Sequence, residues 1–304
     1  MTRFTQLLAI AAFLAAMLVA VFLATWPPFS VGEQVSVVRV GVLPGDAPAE
    51  LRRRYEPLLE HLSEQTGLGF ELVVSESYAD LLDKFGNDKL ELAYFGGFTF
   101  LKASAAYDAR PLVMRNFDAR FTTLMVARRD GPLAACIGLT CSNLAGSVLS
   151  FGSRLSTSGH LMPRHFLKME KGIEPEAFFS EVQYSGAHDK TLYHTRDGKV
   201  DLGAVSAEIY FTMKRDSRLG EGELVVIWET PPYPNYVWAV SARVSDELRT
   251  EVRDAFLMLD DGDAEHKRVL SLMGAESFIP AGTMDFEPLR QVADALGLLS
   301  ADAP

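Results

Sequence analysis

The densest chemistry in the chain lies between Phe151 and His160, FGSRLSTSGH. Its pattern places it after a strand and at the opening of a helix. Ser156, Thr157 and Ser158 then set three hydroxyl groups beside the unpaired N–H groups of a first helical turn. The helix dipole adds positive potential at the same point. Such a turn can cradle a tetrahedral oxyanion without any lysine or arginine. Ordinary capping needs only one of the three hydroxyls, so capping and anion binding both stay open on these residues alone.

Enzyme readings of the segment fail on spacing. A nucleophile elbow requires glycine two residues to either side of the serine, and neither Ser156 nor Ser158 has that pattern. There is no phosphate-loop lysine motif and no HExxH zinc motif. His160 and His165 are five apart and do not share one helix face as metal ligands. The His188-Asp189 pair is too common to carry a reaction. No enzyme activity, metal or cofactor is expected.

Further candidates fall at the ends of strands, where open α/β sheets present ligands. Ser75, Ser77 and Tyr78 open a helix in SESYADLL. Tyr94, Phe95, Gly96 and Gly97 end a strand, and Gly97 permits close backbone approach. Glu208 follows a strand in GAVSAEIY, and Pro231 to Asn235 form a stiff turn. Taken singly, these are core aromatics, solvated acids and a rigid loop; their joint place at strand ends favours function.

The elements that must position them follow from periodicity. Val38, Val40 and Val42 alternate as a strand, and Leu51, Tyr55, Leu58, Leu59 and Leu62 fall at helical spacing. A strand at Phe70 to Val74, a helix from Tyr78 to Phe85 and a strand at Leu90 to Phe95 continue an alternating α/β order. The alternation restarts with strands at Thr122 to Ala127 and Val148 to Gly152, then a helix from Ser158 to Lys171. Strands follow near Glu181 to Tyr184, Leu202 to Val205, Leu224 to Trp228 and Val237 to Ser241, and the tail is helical. The expected fold is α/β with two lobes, each a mixed, mostly parallel sheet flanked by helices. Residues 35–122 with 239–304 would form one lobe and 123–238 the other, after an N-terminal segment of 1–34.

Composition narrows the function further. Of 304 residues, 48% are hydrophobic and 23% charged, which is globular. With 40 acidic against 29 basic residues the net charge is -11, and the sequence pI is about 5.1. Nucleic acid, which is bound through basic surfaces, is thereby excluded as a partner. Leu7 to Thr25 is an unbroken apolar run, close to the ~20 residues that cross a bilayer. Arg3 precedes it, Trp26 sits at an interfacial position, and no clean small-x-small cleavage triplet follows. A membrane anchor and a long signal peptide both remain open, and either exports the folded part. In an oxidising compartment, Cys136 and Cys141 can bridge as a local staple.

In order along the chain, RVGVLP, SESYADLL, LELAYFGGFTF, FGSRLSTSGHLMP, YSGAHDKTL, VDLGAVSAEIY and VIWETPPYPNYVWAV resemble the substrate-binding proteins of phosphate/phosphite/phosphonate ABC importers. The resemblance runs from about Val38 to Leu299. It implies the two-lobed type II periplasmic binding fold, capture of a small phosphorus oxyanion between the lobes, and delivery to an ABC permease. An alternative is an anchored subunit reporting oxyanion levels to a sensor kinase. The resemblance implies that Tyr78 binds one phosphonate oxygen, that Ser156, Thr157 and Ser158 hold the others, and that His188 contacts the same group. Glu208 matches an acid that faces an ammonium in aminophosphonate binders. Phe95 and Asn235 depart from the tyrosine and aspartate found in those binders. That departure implies phosphite, phosphate or a simple alkylphosphonate rather than 2-aminoethylphosphonate.

Overall fold

The computed structural model describes residues 37–44 and 47–299. The apolar run 7–25 and the linker after it lie outside the described residues. Among the described residues no helix is long and apolar enough to cross a membrane.

Two mixed sheets organise the chain. The first contains β1 (Val37–Val42), β2 (Gly69–Val74), β3 (Leu92–Phe95), β4 (Arg110–Arg115), β10 (Val237–Val240) and β11 (Phe278–Pro280). Their order is β11-β4-β10-β3-β1-β2. The second contains β5 (Thr123–Arg128), β6 (Val148–Phe151), β7 (Glu181–Tyr184), β8 (Leu202–Ser206) and β9 (Leu224–Glu229), in the order β7-β6-β8-β5-β9. The sheets are less parallel than expected. β1–β2, β1–β3, β6–β7 and β6–β8 are parallel, but the five pairs involving β4, β5 and β10 are antiparallel. The reason is topological: β5 and β10 each enter their sheet from the other one, against its direction.

The chain passes between the sheets twice, through 116–122 and 230–236. The two crossings are tied by an antiparallel bridge, Phe121 N–H to Tyr233 O at 2.8 Å and Tyr233 N–H to Phe121 O at 2.9 Å. A boundary after Trp238 therefore falls inside β10, whose four residues all pair in the first sheet. The stiff Pro231–Pro234 run is the crossing itself, and the strand follows it.

Local sequence explains the positioning elements. Helix α1 (Pro48–Thr66) starts with proline at its first turn and buries Leu51, Tyr55, Leu58, Leu59 and Leu62 on one stripe. It stops at Gly67, whose φ of 70° suits a residue without Cβ. Helix α2 (Tyr78–Gly86) is capped by Ser77, which accepts the Asp80 N–H at 3.0 Å. Two elements with weak periodic signals, a helix and a strand, complete the first layer. Helix α3 (Gly97–Tyr107) buries nearly all of its first turns, and β4 has a proline as its second residue and an arginine at each end. In the second layer, α4 (Met162–Lys171), the single turn α5 (Pro175–Phe178), α6 (His188–Arg196) and α7 (Ala207–Arg215) cover the sheet. The tail forms α8 (Asp246–Leu257), α9 (Ala264–Met273) and α10 (Glu287–Ala295). Cys136 and Cys141 are bridged, with Cα atoms 5.1 Å apart.

Candidate functional site

The serine-rich turn is a π-type turn, Thr157–Leu161, that runs into α4. Its i→i+5 bond joins the Leu161 N–H to Ser156 O at 3.1 Å, a widened geometry that recurs at functional sites. Ser156 caps the turn by accepting the Gly159 N–H at 2.9 Å. All three hydroxyl residues are buried, yet they do not converge together. Ser156 Oγ and Ser158 Oγ each lie 3.3 Å from His188 Nε2. Thr157 instead turns to α3, where its Oγ1 accepts the Phe98 N–H at 2.8 Å.

His188 opens α6 and is fully desolvated, which pulls its pKa down to about 4. The ring is therefore neutral at pH 7. The Ser206 N–H reaches its Nδ1 at 3.2 Å, so Nδ1 accepts and the ring proton sits on Nε2. That proton points toward the two serine hydroxyls. The close approach depends on Gly159, where a Cβ would lie 2.9 Å from His188 Cε1 and 3.0 Å from Ser156 Oγ. Tyr78 joins the group from α2, hydrogen-bonded to Ser156, and burial pushes its hydroxyl up to about 12. It thus stays protonated and available as a donor. Ser156, Ser158, His188 and Tyr78 form one cluster of neutral donors, with members from both sheets' layers.

The other predicted residues are placed differently. Asn235 sits beside Thr157 at the start of α3, where its Oδ1 accepts the Gly97 N–H at 3.4 Å. Phe95 is fully buried and packs edge-on against Phe85 at 5.2 Å. It faces the core because side chains alternate along β3, and its neighbour Tyr94 takes the position facing the site. Glu208 does not stand free to meet a cation. Both of its oxygens are held by Arg115, Oε2 at 2.9 Å from Nη2 and Oε1 in a shorter contact with Nη1.

Arg115, at the end of β4, is the main feature that sequence reasoning missed. Its Nε and Nη2 donate to Asp118 at 2.8 Å each, and its Nη1 also donates to Met273 O at 3.1 Å. All five guanidinium N–H groups are thereby used. The guanidinium lies 4.4 Å from the Phe117 ring centre and 5.3 Å from that of Tyr236, within cation–π range. Burial pushes Asp118 up to about 6 even beside this cation. Tyr233, read from sequence only as part of the stiff turn, has a further role. Its hydroxyl bonds Thr123 Oγ1 and the Ser158 side chain, bracing the turn from the crossing segment.

Next to the donor cluster lies a cavity of about 140 Å³, lined by Tyr78 and His188 at one end and by Tyr55, Tyr94, Tyr236 and Trp238 further along. No group of three or more potential metal ligands occurs among the described residues. Two sheets joined by paired crossings, with neutral donors gathered between them, define a two-lobed oxyanion-binding protein.

Residues 40–286 match the profile of the family described as "ABC transporter, phosphonate, periplasmic substrate-binding protein", and the chain belongs to that family. The family supplies the substrate-binding component of a transporter and not an enzyme. The chain is 25% identical over 267 residues to the probable ABC transporter phosphite-binding protein PhnD1 of Prochlorococcus marinus (strain MIT 9301), covering 86% of this chain and 90% of that one. It is 22% identical to the phosphate-import protein PhnD of Mycolicibacterium smegmatis, covering 86% of each. The structure of the Prochlorococcus protein in complex with methylphosphonate superposes with a TM-score of 0.79 at 24% identity, over 86% of this chain and 99% of that one. A periplasmic VFT2 domain of Bordetella pertussis BvgS, at TM-score 0.53 and 17% identity, shares the fold alone.

Proposed function

We propose that this periplasmic substrate-binding protein captures a small phosphorus oxyanion on Ser156, Ser158, Tyr78 and His188 and delivers it to its ABC permease. The observation that carries the reading is the convergence of both serine hydroxyls on a neutral, Nε2-protonated histidine. Each hydrogen bond to a charged oxygen contributes about 1.5–3 kcal/mol net, so a handful support micromolar binding, about 8 kcal/mol. Thr157 and Asn235 act at the seam, holding α3 to the serine turn when the lobes are closed. The lobes divide at the crossings 116–122 and 230–236, which serve as the hinge. The apolar run 7–25 tethers the protein to the inner membrane. Commitment of Glu208 to Arg115 favours phosphite, phosphate or an alkylphosphonate over 2-aminoethylphosphonate.

Calorimetric titration of the protein with phosphite, phosphate, methylphosphonate and 2-aminoethylphosphonate tests this. Micromolar or tighter binding of one of the first three is expected. The double variant Ser156→Ala/Ser158→Ala should weaken it by at least about 100-fold, the loss of two charge-assisted bonds. Affinity unchanged within about threefold would place the oxyanion elsewhere.

A further inference from the structure

We infer that His160 is a positioning residue for the oxyanion site: its Nδ1–H holds the carbonyl of Arg154 and so fixes the turn that carries Ser156 and Ser158. The inference rests on the oxyanion reading above and deepens it. His160 is not part of the cavity wall and acts through the two serines.

The bond runs backwards along the chain. His160 Nδ1 lies 2.8 Å from Arg154 O, six positions earlier, and both serines fall between the two residues. The same short loop is closed a second time by the Gly152 N–H, which donates to Gly159 O at 2.8 Å. Arg154 precedes the turn Thr157–Leu161 and lies outside its i→i+5 bond. The histidine therefore ties down the approach to the turn as well as the turn itself. Such a tie matters because a binding group has to be held within about 0.5 Å of its productive place by neighbours whose own rotamers are locked.

The orientation of the ring is itself locked. A carbonyl oxygen can only accept, so the ring proton is on Nδ1. Nε2 is then the acceptor, and it takes the Arg164 Nε–H at 3.1 Å. Arg164, on α4, is held in turn by Glu176, with Nη1 2.7 Å from Oε2, and its Nη2 donates to the Tyr184 hydroxyl at 2.8 Å. The rings of Phe151 and Tyr184 meet His160 edge-on, with ring centres 5.3 and 5.2 Å away. Burial in this setting pulls the His160 pKa down to about 4, so the ring is neutral at pH 7. His160 and His188 thus hold opposite tautomers around one turn. His188 aims a proton at the serine hydroxyls, and His160 aims one at the backbone that carries them.

The test is calorimetry with phosphite, phosphate and methylphosphonate on His160→Asn, His160→Gln and His160→Leu beside the unaltered protein. Asparagine places an N–H where Nδ1 stood but gives up much of the ring's packing. Glutamine places its amide where Nε2 stood, facing Arg164, and leaves Arg154 O without its donor. Leucine keeps apolar bulk and has no donor at all. For the anion that the unaltered protein binds most tightly, His160→Asn should stay within about threefold, while His160→Gln and His160→Leu weaken binding by about tenfold or more. Thermal unfolding without ligand should rank the variants differently, with His160→Leu at least as stable as His160→Asn. Affinities that follow the stability order, or that are alike in all three variants, would overturn the positioning role and leave the oxyanion site standing. No binding of any of the three anions by the unaltered protein would overturn both. Nitrogen NMR of the unaltered protein needs no variant to fold: Nδ1 of His160 should carry the proton at pH 7, and a proton on Nε2 would overturn the assignment.

Discussion

The two ends of the cavity handle charge in opposite ways. Around the serine turn, the four donors gathered for an oxyanion are neutral: two serine hydroxyls, a tyrosine and a histidine stripped of its proton by burial. Around β4, full charges are packed together, Arg115 and Asp118 buried and Glu208 half-buried, and the three spend hydrogen bonds on one another. The first region retains hydrogens that can turn to a ligand. The second retains none on its guanidinium, and it links α7 of one sheet's layer to β4 of the other. Recognition and cohesion are thus divided between neutral and charged groups. An acidic chain of net charge -11 can bind an anion under that division, since no exposed cation is required.

The largest expected effect comes from breaking the charged end. Arg115→Met leaves Asp118 buried without its cation and frees Glu208 at the seam, at a cost of about 3–5 kcal/mol in stability. Ser158→Ala, at the neutral end, removes one hydroxyl from a well-packed turn and should cost no more than about 1 kcal/mol. Urea unfolding of the two variants checks the contrast. Equal losses would mean that the serine turn also holds the fold together, and the division would fail.

An intermediate effect is expected from acid. The folded pKa of His188, about 4, lies below the ~6.5 of an unfolded chain. Between those values the unfolded state takes up a proton that the folded state refuses, so stability falls as pH drops from about 6.5 to about 4, by about 3 kcal/mol in total. Above pH 6.5 the residue is neutral in both states and contributes no slope. His160, also lowered to about 4 by burial, acts in the same direction, and Asp118, raised to about 6, acts in the opposite one. Comparing the protein with His188→Asn isolates the residue. The variant should lose stability less steeply over this window, and an identical slope would mean that His188 is protonated in the folded state.

This contrast also separates what the sequence could reveal from what it could not. The neutral end is built largely from consecutive residues, so Ser156 and Ser158 stand out from spacing and capping chemistry alone. Tyr78 is marked by the serine cap before it. The charged end joins residues 115, 118 and 208, and no local pattern announces that an arginine at a strand end will meet an acid 93 positions later. Phe95 and Tyr94 are adjacent aromatics in a four-residue strand buried on both faces. With no polar partner to break the symmetry, periodicity cannot say which one faces the ligand. Helix α3 is apolar on nearly every side of its first turns, which erases the 3.6-residue signal. The strand expected at Val237 to Ser241 is found at Val237–Val240, but the lobe boundary drawn after Trp238 falls inside it, because periodicity marks a strand without saying which sheet the strand joins. Fold class was legible because alternating strand and helix signals recur through both halves.

The smallest expected effect, and a sharp probe of the neutral end, is that of salt. A site that met its oxyanion with an uncompensated arginine or lysine would lose affinity as the ionic atmosphere contracts, since the Debye length falls from ~30 Å at 0.01 M to ~3 Å at 1 M. Hydroxyl and imidazole donors act at contact distance and are buried from the ions, so their share of the binding energy is indifferent to screening. What remains is the long-range field of an acidic protein, which repels an incoming anion and is weakened by salt. Affinity measured from about 0.02 to 0.5 M salt should therefore stay within about twofold, with any drift toward tighter binding. Potassium glutamate run beside sodium chloride separates screening from direct competition by chloride. A fall of about tenfold in both salts would show that a cation carries the recognition. The arginine that now looks fully committed to its two carboxylates would then be the first place to look.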